Sequence, residues 1–300
     1  MKKKEAYAGA YREIFAQFEM NLTTVNYSKG TVYGSIHNVR DYLDYLNDKQ
    51  LHLIETSTKE VNDYFKFLEK RINKNTGLGL SMSYLQKIRS SLVMFYDFLQ
   101  VSQEETYLRP IFPEIKKGIY IPTVLSKEEI QRMFTSCDES LLGKRNKALL
   151  AIYYGCGLRR QEGTDLNIED VDLNKGQVFI AKSKTRRQRN VPINTKMQLI
   201  LEDYLFNARE KLIDKADSQN AVLVTERGKR LAKETVVYIL KKILKDAKIT
   251  TKASPHTIRH SIATHLLQSG MKLENISLFL GHRSLDSTQI YTHLSNNNKH

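Results

Sequence analysis

Cysteine and long apolar runs are both scarce in this 300-residue chain. Its two cysteines, Cys137 and Cys156, give neither a disulfide framework nor the paired spacing of a zinc site. No apolar run approaches the roughly 20 residues that cross a bilayer. The lysines at positions 2–4 do not precede the apolar core of a signal peptide, and no glycine-rich nucleotide loop is present. We therefore expect a cytoplasmic protein that does not act at a membrane.

Acidic residues are outnumbered, and the excess positive charge is unevenly placed. The chain has 47 Lys and Arg against 33 Asp and Glu, a formal net charge of +14. Residues 1–105 have a net charge of +1, whereas residues 106–300 have +13. Solubility alone would not concentrate charge in one part of the chain, but binding to a polyanion would. The charge pattern favours nucleic acid as the partner.

Hydrophobic periodicity and proline placement divide the chain into three parts. Residues 1–105 show four amphipathic helices with short polar breaks, the pattern of a small helical bundle. Residues 106–123 contain three prolines and form the expected linker. Residues 124–300 mix helical periodicity with one short β unit and form the expected second domain. The predicted fold class is mainly α with a small antiparallel β-sheet.

Two capping boxes support these boundaries. In a capping box the serine side chain accepts from the helix backbone, and a Glu three residues later reaches back to the serine N–H. Ser57 with Glu60 opens the third helix of the bundle, and Ser126 with Glu129 opens the second domain.

A strongly basic turn lies inside the β unit between Val171 and Pro192, which is predicted to have three strands. Its cations are Lys182, Lys184, Arg186, Arg187 and Arg189. A solvated hairpin does not need five cations in eight residues, but a hairpin lying on DNA phosphates uses them. On the polar faces of the bundle, Lys87 and Arg89 are also predicted to contact DNA, although a solvated face explains each of them singly.

The stretch 254–291 predicts an anion site. His256 and Arg259 are three residues apart in the first turn of a helix that begins with a Ser-Pro pair, so they share one face. The unpaired N–H groups and the dipole of the helix start favour an anion, most simply a phosphate. A second apolar segment ends at His282, and a third carries Tyr291. The stretch thus combines a phosphate cradle with a phenol.

Three ordered boxes resemble those of the tyrosine recombinases of the Xer and phage-integrase family. They are GLRRQE with Arg159 and Glu162, HTIRH with His256 and Arg259, and LGHRSLDSTQIYTH with His282 nine residues before Tyr291. The second box has Ile258 where the family usually has Leu. The resemblance covers both domains. It implies a SAM-like four-helix core-binding domain and an α+β catalytic domain that together form a clamp on DNA.

The resemblance also implies a role for each residue. Tyr291 is the nucleophile that forms a covalent phosphotyrosine, and Arg159 and Arg259 hold the two non-bridging phosphate oxygens. His256 is expected to act as base or hydrogen-bond partner of the phenol, and His282 to donate to a non-bridging oxygen. Glu162 is expected to orient its neighbours, with a simple helix salt bridge as the alternative. No metal or other cofactor is implied.

The general acid is predicted to be a lysine of the basic hairpin. In the family a lysine in this turn precedes a Val-Pro pair, and it protonates the leaving 5′ oxygen. Lys184 stands seven residues before Val191 and has the surrounding sequence SKT. Lys182 is the alternative. We favour Lys184 because its spacing to Val191 is the one we expect in the family.

Family members recombine double-stranded DNA as a tetramer on two sites through a Holliday junction, in some cases with a second recombinase or accessory factor. Such recombination serves DNA integration and excision or the resolution of chromosome and plasmid dimers. Only nine residues follow Tyr291, so for assembly we predict only that it depends on DNA. No extra arm-binding domain is visible before the bundle, so we expect simple core sites as the substrate. Two other functions fit less well: a type IB topoisomerase-like nicking and rejoining enzyme, and a DNA-binding regulator without catalysis.

Overall fold

Helices dominate the structure, a computed structural model that describes residues 11–73, 76–102, 107–116, 122–181, 188–213, 220–282 and 288. The described residues also contain one three-stranded antiparallel sheet. The predicted fold class, mainly α with a small antiparallel sheet, is confirmed. Contacts divide the chain into two compact units, Met1–Tyr120 and Ile121–His300.

The first unit contains the four predicted helices, here α1 to α4. Their bounds are Arg12–Thr24, Lys29–Asp48, Thr58–Lys70 and Met82–Ser102. The capping box at the start of α3 is confirmed, since Ser57 N–H donates to the Glu60 carboxylate at 2.9 Å. Aromatic rings fill the core between the helices; Phe18, Phe95 and Tyr96 are fully buried.

The segment predicted as a linker packs against this first unit. Phe112 is 7% exposed, and its ring centroid lies 5.8 Å from that of Tyr96. Polar contacts support the apolar one: Arg89 Nε donates to the Pro113 carbonyl at 2.9 Å, and Gln86 donates to a further carbonyl of the segment at 3.0 Å. Part of the predicted linker therefore belongs to the core of the helical unit.

The second unit contains eight described α-helices, α5 to α12. Their bounds are Lys127–Thr135, Leu141–Leu150, Arg160–Asp165, Thr195–Asp203, Glu210–Leu212, Lys233–Asp246, Pro255–Gln268 and Leu273–Leu280. Two π-helical turns, Ala151–Gly155 and Tyr204–Arg209, continue α6 and α8. The capping box at the start of α5 is confirmed, since Ser126 N–H donates to Glu129 at 2.8 Å.

The sheet consists of β1 (Val171–Asp172), β2 (Gln177–Ile180) and β3 (Arg189–Pro192), in the order β1-β2-β3. Both pairs are antiparallel, and Ile180 is opposite Arg189 in the last pair before the connection from β2 to β3. Val178 and Val191 face each other and are fully buried, which anchors the hairpin on the core.

Within the described ranges, no helix has the length and apolar character needed to cross a membrane.

A pair of adjacent substitutions tests whether the predicted linker is part of the first core. We expect Phe112→Ala to lower the free energy of unfolding of this unit by about 3–5 kcal/mol, because it removes a buried ring. Ile111 is 76% exposed, so Ile111→Ala is the matched control and should change stability by less than about 0.5 kcal/mol. The measurement is urea denaturation followed by tyrosine fluorescence and circular dichroism. If both substitutions change the free energy of unfolding by the same small amount, the segment is a linker that does not belong to the core.

Candidate active site

The carboxyl end of α12 organises the site. Gly281 follows the helix in the left-handed conformation, with φ +65°, which glycine adopts without strain. This turn directs two backbone N–H groups back to the helix: Gly281 donates to Leu278 O at 3.1 Å and His282 to Ser277 O at 3.0 Å. The three carbonyls that follow Leu278 receive no such backbone donor among these cap contacts, and a buried carbonyl needs a partner.

Three arginines from separate segments donate to these consecutive carbonyls. Arg189 Nε donates to Phe279 O at 3.1 Å, Arg259 Nη2 to Leu280 O at 2.5 Å, and Arg159 Nη2 to Gly281 O at 2.8 Å. The negative end of the helix dipole adds to the attraction of each carbonyl for a cation. Arg159 and Arg259, predicted as the phosphate-binding pair, are thereby brought together on one helix end.

Glu162 is the acidic centre of the same cluster. Its side chain is 1% exposed and accepts from Arg159 Nη1 at 2.7 Å and from the Arg159 backbone N–H at 2.9 Å. Arg189 binds it through both terminal nitrogens, at 3.1 and 2.9 Å, and Arg259 Nη1 lies 3.8 Å from it. Glu162 therefore makes the salt bridge at the start of α7 and also binds the arginine at the start of β3. Its expected role in orienting its neighbours stays a prediction.

The charge of Glu162 is strongly favoured despite burial. Burial alone would raise its pKa, but the hydrogen bond and charge of Arg189, followed by those of Arg159, outweigh this and lower the pKa to about 2. Glu162 is thus ionised throughout the physiological range.

Gly157 lets the segment before α7 pack closely against α12. Its φ is +58°, and a Cβ there would lie 2.9 Å from Phe279 Cε1 and 3.0 Å from Leu280 Cδ2. The bare backbone lets the Gly157 carbonyl accept from Arg259 Nη1 at 2.6 Å. The glycine of the first box therefore allows close contact with Arg259 of the second box and with the helix that ends at the third box.

His282 comes directly after the helix cap and is half-buried. Its Nδ1 lies 2.8 Å from Oγ1 of Thr288, which is fully buried. Burial, and then the charges of Arg259 and Arg159, lower the pKa of His282 to about 3, so the imidazole is neutral near pH 7. A neutral ring has one donor and one acceptor nitrogen.

The remaining histidines of the stretch occupy different surroundings on α11. His256 is exposed in the first turn, where Ser254 is the N-cap and Pro255 the first helical residue, as predicted. Burial, then the charges of His256 and Arg259, lower the pKa of His260 to about 4. His265 is buried and makes a 2.9 Å hydrogen bond with the Tyr154 hydroxyl, which is a packing contact away from the cluster.

Comparison with known proteins matches residues 123–298 to the family model described as the phage integrase family. The chain belongs to this family. A tyrosine recombinase XerC of Oceanobacillus iheyensis is 31% identical, with 98% of this chain and 93% of the relative covered. A tyrosine recombinase XerD of the same organism is 32% identical, with 89% of each chain covered. The protein is a tyrosine-type site-specific DNA recombinase.

Solved structures of the family agree with this fold. An XerA recombinase is similar with a TM-score of 0.54 and 25% identity, covering 95% of each chain. XerH bound to its difH substrate is similar with a TM-score of 0.69 and 21% identity, covering 89% of this chain and 79% of XerH. A lambda integrase tetramer bound to a Holliday junction gives a TM-score of 0.65 and 15% identity, covering 93% of this chain and 76% of the integrase.

Arg189 lies inside the site, and its predicted contact with DNA stays a prediction. Its side chain is 8% exposed, and the guanidinium is bound by Glu162 and by the Phe279 carbonyl. As the first residue of β3, Arg189 lies in the last strand pair before the hairpin connection, and its side chain is buried against Glu162. No local pattern in the sequence predicts this contact, because the partner Glu162 is 27 residues away.

Five predicted site residues lie outside the described residues. They are the nucleophile candidate Tyr291 and the other hairpin cations, Lys182, Lys184, Arg186 and Arg187. In the helical unit Lys87 is exposed, and Arg89 is half-buried with Nε bound to Pro113. DNA contact by these two stays a prediction. Across the described ranges, no group of three His, Cys, Asp or Glu side chains is arranged to hold a metal ion.

The pH dependence of stability tests the charge state of Glu162. Its pKa falls from 4.5 in the free side chain to about 2 in the fold, so its stabilising effect is complete above about pH 4.5 and is lost as the pH falls towards 2. We expect the unfolding free energy of the wild type to drop about 2 kcal/mol more between pH 5 and pH 3 than that of Glu162→Gln. Chemical denaturation at several pH values measures this.

Glu169→Gln, at an exposed position of the same unit, is the matched control and should keep the wild-type slope. Identical slopes for the wild type and Glu162→Gln would show that Glu162 is not held ionised by the arginines.

Proposed function

We propose that this recombinase cleaves and rejoins double-stranded DNA through a covalent 3′-phosphotyrosine at Tyr291 and exchanges strands through a Holliday junction. One observation carries the proposal. The arginines of the first and second boxes, Arg159 and Arg259, are bound to consecutive carbonyls at the end of α12, immediately before the third-box residue His282. Residues distant in sequence thus form one cationic centre.

The chemistry explains why this centre uses arginine. A phosphodiester resists attack because it is anionic, and the in-line displacement concentrates charge on its equatorial oxygens, so catalysis depends on charge stabilisation. Arg159 uses two of its five N–H donors for Glu162 and Gly281, and in our proposal the remaining donors serve phosphate oxygens. Arg259 is 5% exposed, which keeps its charge from being screened by water.

The proton steps use residues of the second box and the hairpin. The phenol oxygen of Tyr291 attacks phosphorus and loses its proton towards His256, which is exposed at the start of α11. The bond from phosphorus to the 5′ oxygen breaks, and Lys184 protonates that oxygen. A 5′-hydroxyl of another strand reverses these steps, so the phosphodiester energy is conserved without ATP. Lys182 stays the alternative acid.

His282 acts as a neutral hydrogen-bond donor in this scheme. His282 Nδ1 and the Thr288 hydroxyl oxygen are 2.8 Å apart. We propose that the hydroxyl donates to Nδ1, which leaves the ring proton on Nε2 to donate to a non-bridging oxygen. The low pKa of His282 supports a neutral donor over an imidazolium ion.

The biological setting follows from the relatives. The similarity to both XerC and XerD recombinases favours resolution of chromosome or plasmid dimers over integration and excision of a mobile element. We propose a tetramer on two sites, as the lambda integrase structure is a tetramer on a Holliday junction, acting in the cytoplasm, where such DNA lies. In our proposal residues 1–105 form the core-binding domain and 124–300 the catalytic domain.

Tyr291→Phe tests the covalent step. We expect no covalent complex with a nicked suicide substrate taken from DNA flanking the gene, and DNA affinity within about twofold of the wild type, because only the nucleophile is removed. Denaturing gel electrophoresis and a mobility-shift assay measure the two quantities. Covalent complexes formed by Tyr291→Phe would refute the assignment. Strand exchange between two duplexes distinguishes a recombinase from a topoisomerase-like enzyme, which would only relax supercoils.

A sulfur-substituted substrate tests the general acid. We expect Lys184→Ala to slow cleavage by about 10²–10⁴-fold, because the 5′ oxygen leaves without its proton. A bridging 5′-phosphorothioate has a leaving group that needs no proton, so it should restore the rate of Lys184→Ala. Single-turnover cleavage of both substrates is the measurement. If the sulfur substrate restores the rate of Lys182→Ala but not that of Lys184→Ala, the general acid is Lys182.

A further inference from the structure

Arg189 has an environment that its place in a basic hairpin does not explain. It begins β3, opposite Ile180, five residues after Lys184 in the sequence. Its side chain is 8% exposed, and each of its three guanidinium nitrogens donates to Glu162 or to the Phe279 carbonyl.

These contacts involve all three nitrogens of the Arg189 guanidinium. Both terminal nitrogens bind the two oxygens of Glu162, and Nε binds the Phe279 carbonyl. A planar guanidinium makes such a bidentate contact and has a donor left for a third acceptor, which an ammonium group does not match in geometry. A Cβ on Gly281 would lie 2.8 Å from Arg189 Nη1, so the helix cap is also shaped around this side chain.

The partners of Arg189 are also the supports of the catalytic arginines. Glu162 binds Arg159, and Phe279 precedes the two residues whose carbonyls bind Arg259 and Arg159. Arg189 is therefore a direct link from the start of β3 to the cluster that holds both arginines. A displacement of about 1 Å in a catalytic group can cost about 10²-fold in rate.

We propose that Arg189 is a positioning residue of the recombinase, which fixes the start of β3, the strand that follows Lys184 in the sequence, against the Glu162–Arg159 pair. This inference rests on the proposed strand-transfer function. It gives Arg189 no contact with DNA: the residue acts through Glu162 and through the end of α12.

Single-turnover cleavage at saturating enzyme tests the inference with Arg189→Met, Arg189→Lys, Glu162→Gln and the double variant Arg189→Met/Glu162→Gln. We expect Arg189→Met to cleave about 10–100-fold more slowly, with unchanged DNA affinity and an unchanged dependence of affinity on salt. Arg189→Lys keeps the charge without the fork and should be intermediate. In the Glu162→Gln background the further loss caused by Arg189→Met should be less than about threefold, because the two residues act as one unit.

The control for loss of a cation is Arg132→Met, at an exposed position on α5, which should cleave at the wild-type rate. A second readout is the pH profile. Arg189 is the strongest influence that lowers the pKa of Glu162, so in Arg189→Met the acid limb of the cleavage rate should move to higher pH. A purely structural loss would lower the rate at every pH without moving this limb.

Three results would overturn the inference. A fall of about one unit in the salt slope of binding would show that Arg189 contacts a phosphate. A full rate loss in the Glu162→Gln background would show that it acts independently of Glu162, and wild-type cleavage by Arg189→Met would show that it has no role. If Arg189→Met does not fold, as a thermal melt would reveal, Arg189→Lys carries the same comparisons.

Failure of the proposed function looks different. In that case the wild type and Arg132→Met would also form no covalent complex at Tyr291.

Discussion

The candidate active site depends on one interaction: the end of a short helix binds three arginines through three successive carbonyls. Helix termini leave carbonyls unsatisfied, and here the cap at Gly281 satisfies two of them by backbone donors. The next three accept from arginines of β3, α11 and the start of α7. Because each arginine comes from a different part of the chain, this helix end determines where the boxes of the family meet.

The cluster has a charge that fits its reaction. Three guanidinium groups surround one carboxylate, Glu162, so an excess of two positive charges remains in a mostly water-excluded site. A phosphodiester has one negative charge, and its transition state with an attacking phenolate has two. Groups fixed in this way before the reaction stabilise developing charge without reorganising. Glu162 limits the repulsion among the arginines, which explains why its own ionisation is so strongly favoured.

Local patterns in the sequence predicted much of this molecule. Both capping boxes, the three-stranded unit and the helix start at Ser254 were correct because their partners lie within a few residues. The packing of Phe112 and the pairing of Arg189 with Glu162 were missed, since each depends on a contact between residues distant in the chain. Five neighbouring cations look alike in sequence, and only the structure shows that Arg189 is the first residue of β3 and is buried.

Because the acceptors at the end of α12 are main-chain carbonyls, substitutions in this helix have different consequences from insertions or deletions. A different side chain at Phe279 or Leu280 alters packing but leaves the oxygen that each residue presents. An inserted or deleted residue in this helix would instead turn every following carbonyl by about 100° and shift it by about 1.5 Å along the axis. In this chain we therefore expect substitutions at the helix end to be tolerated far better than insertions or deletions, with Gly281 as the exception because its left-handed turn directs the cap contacts.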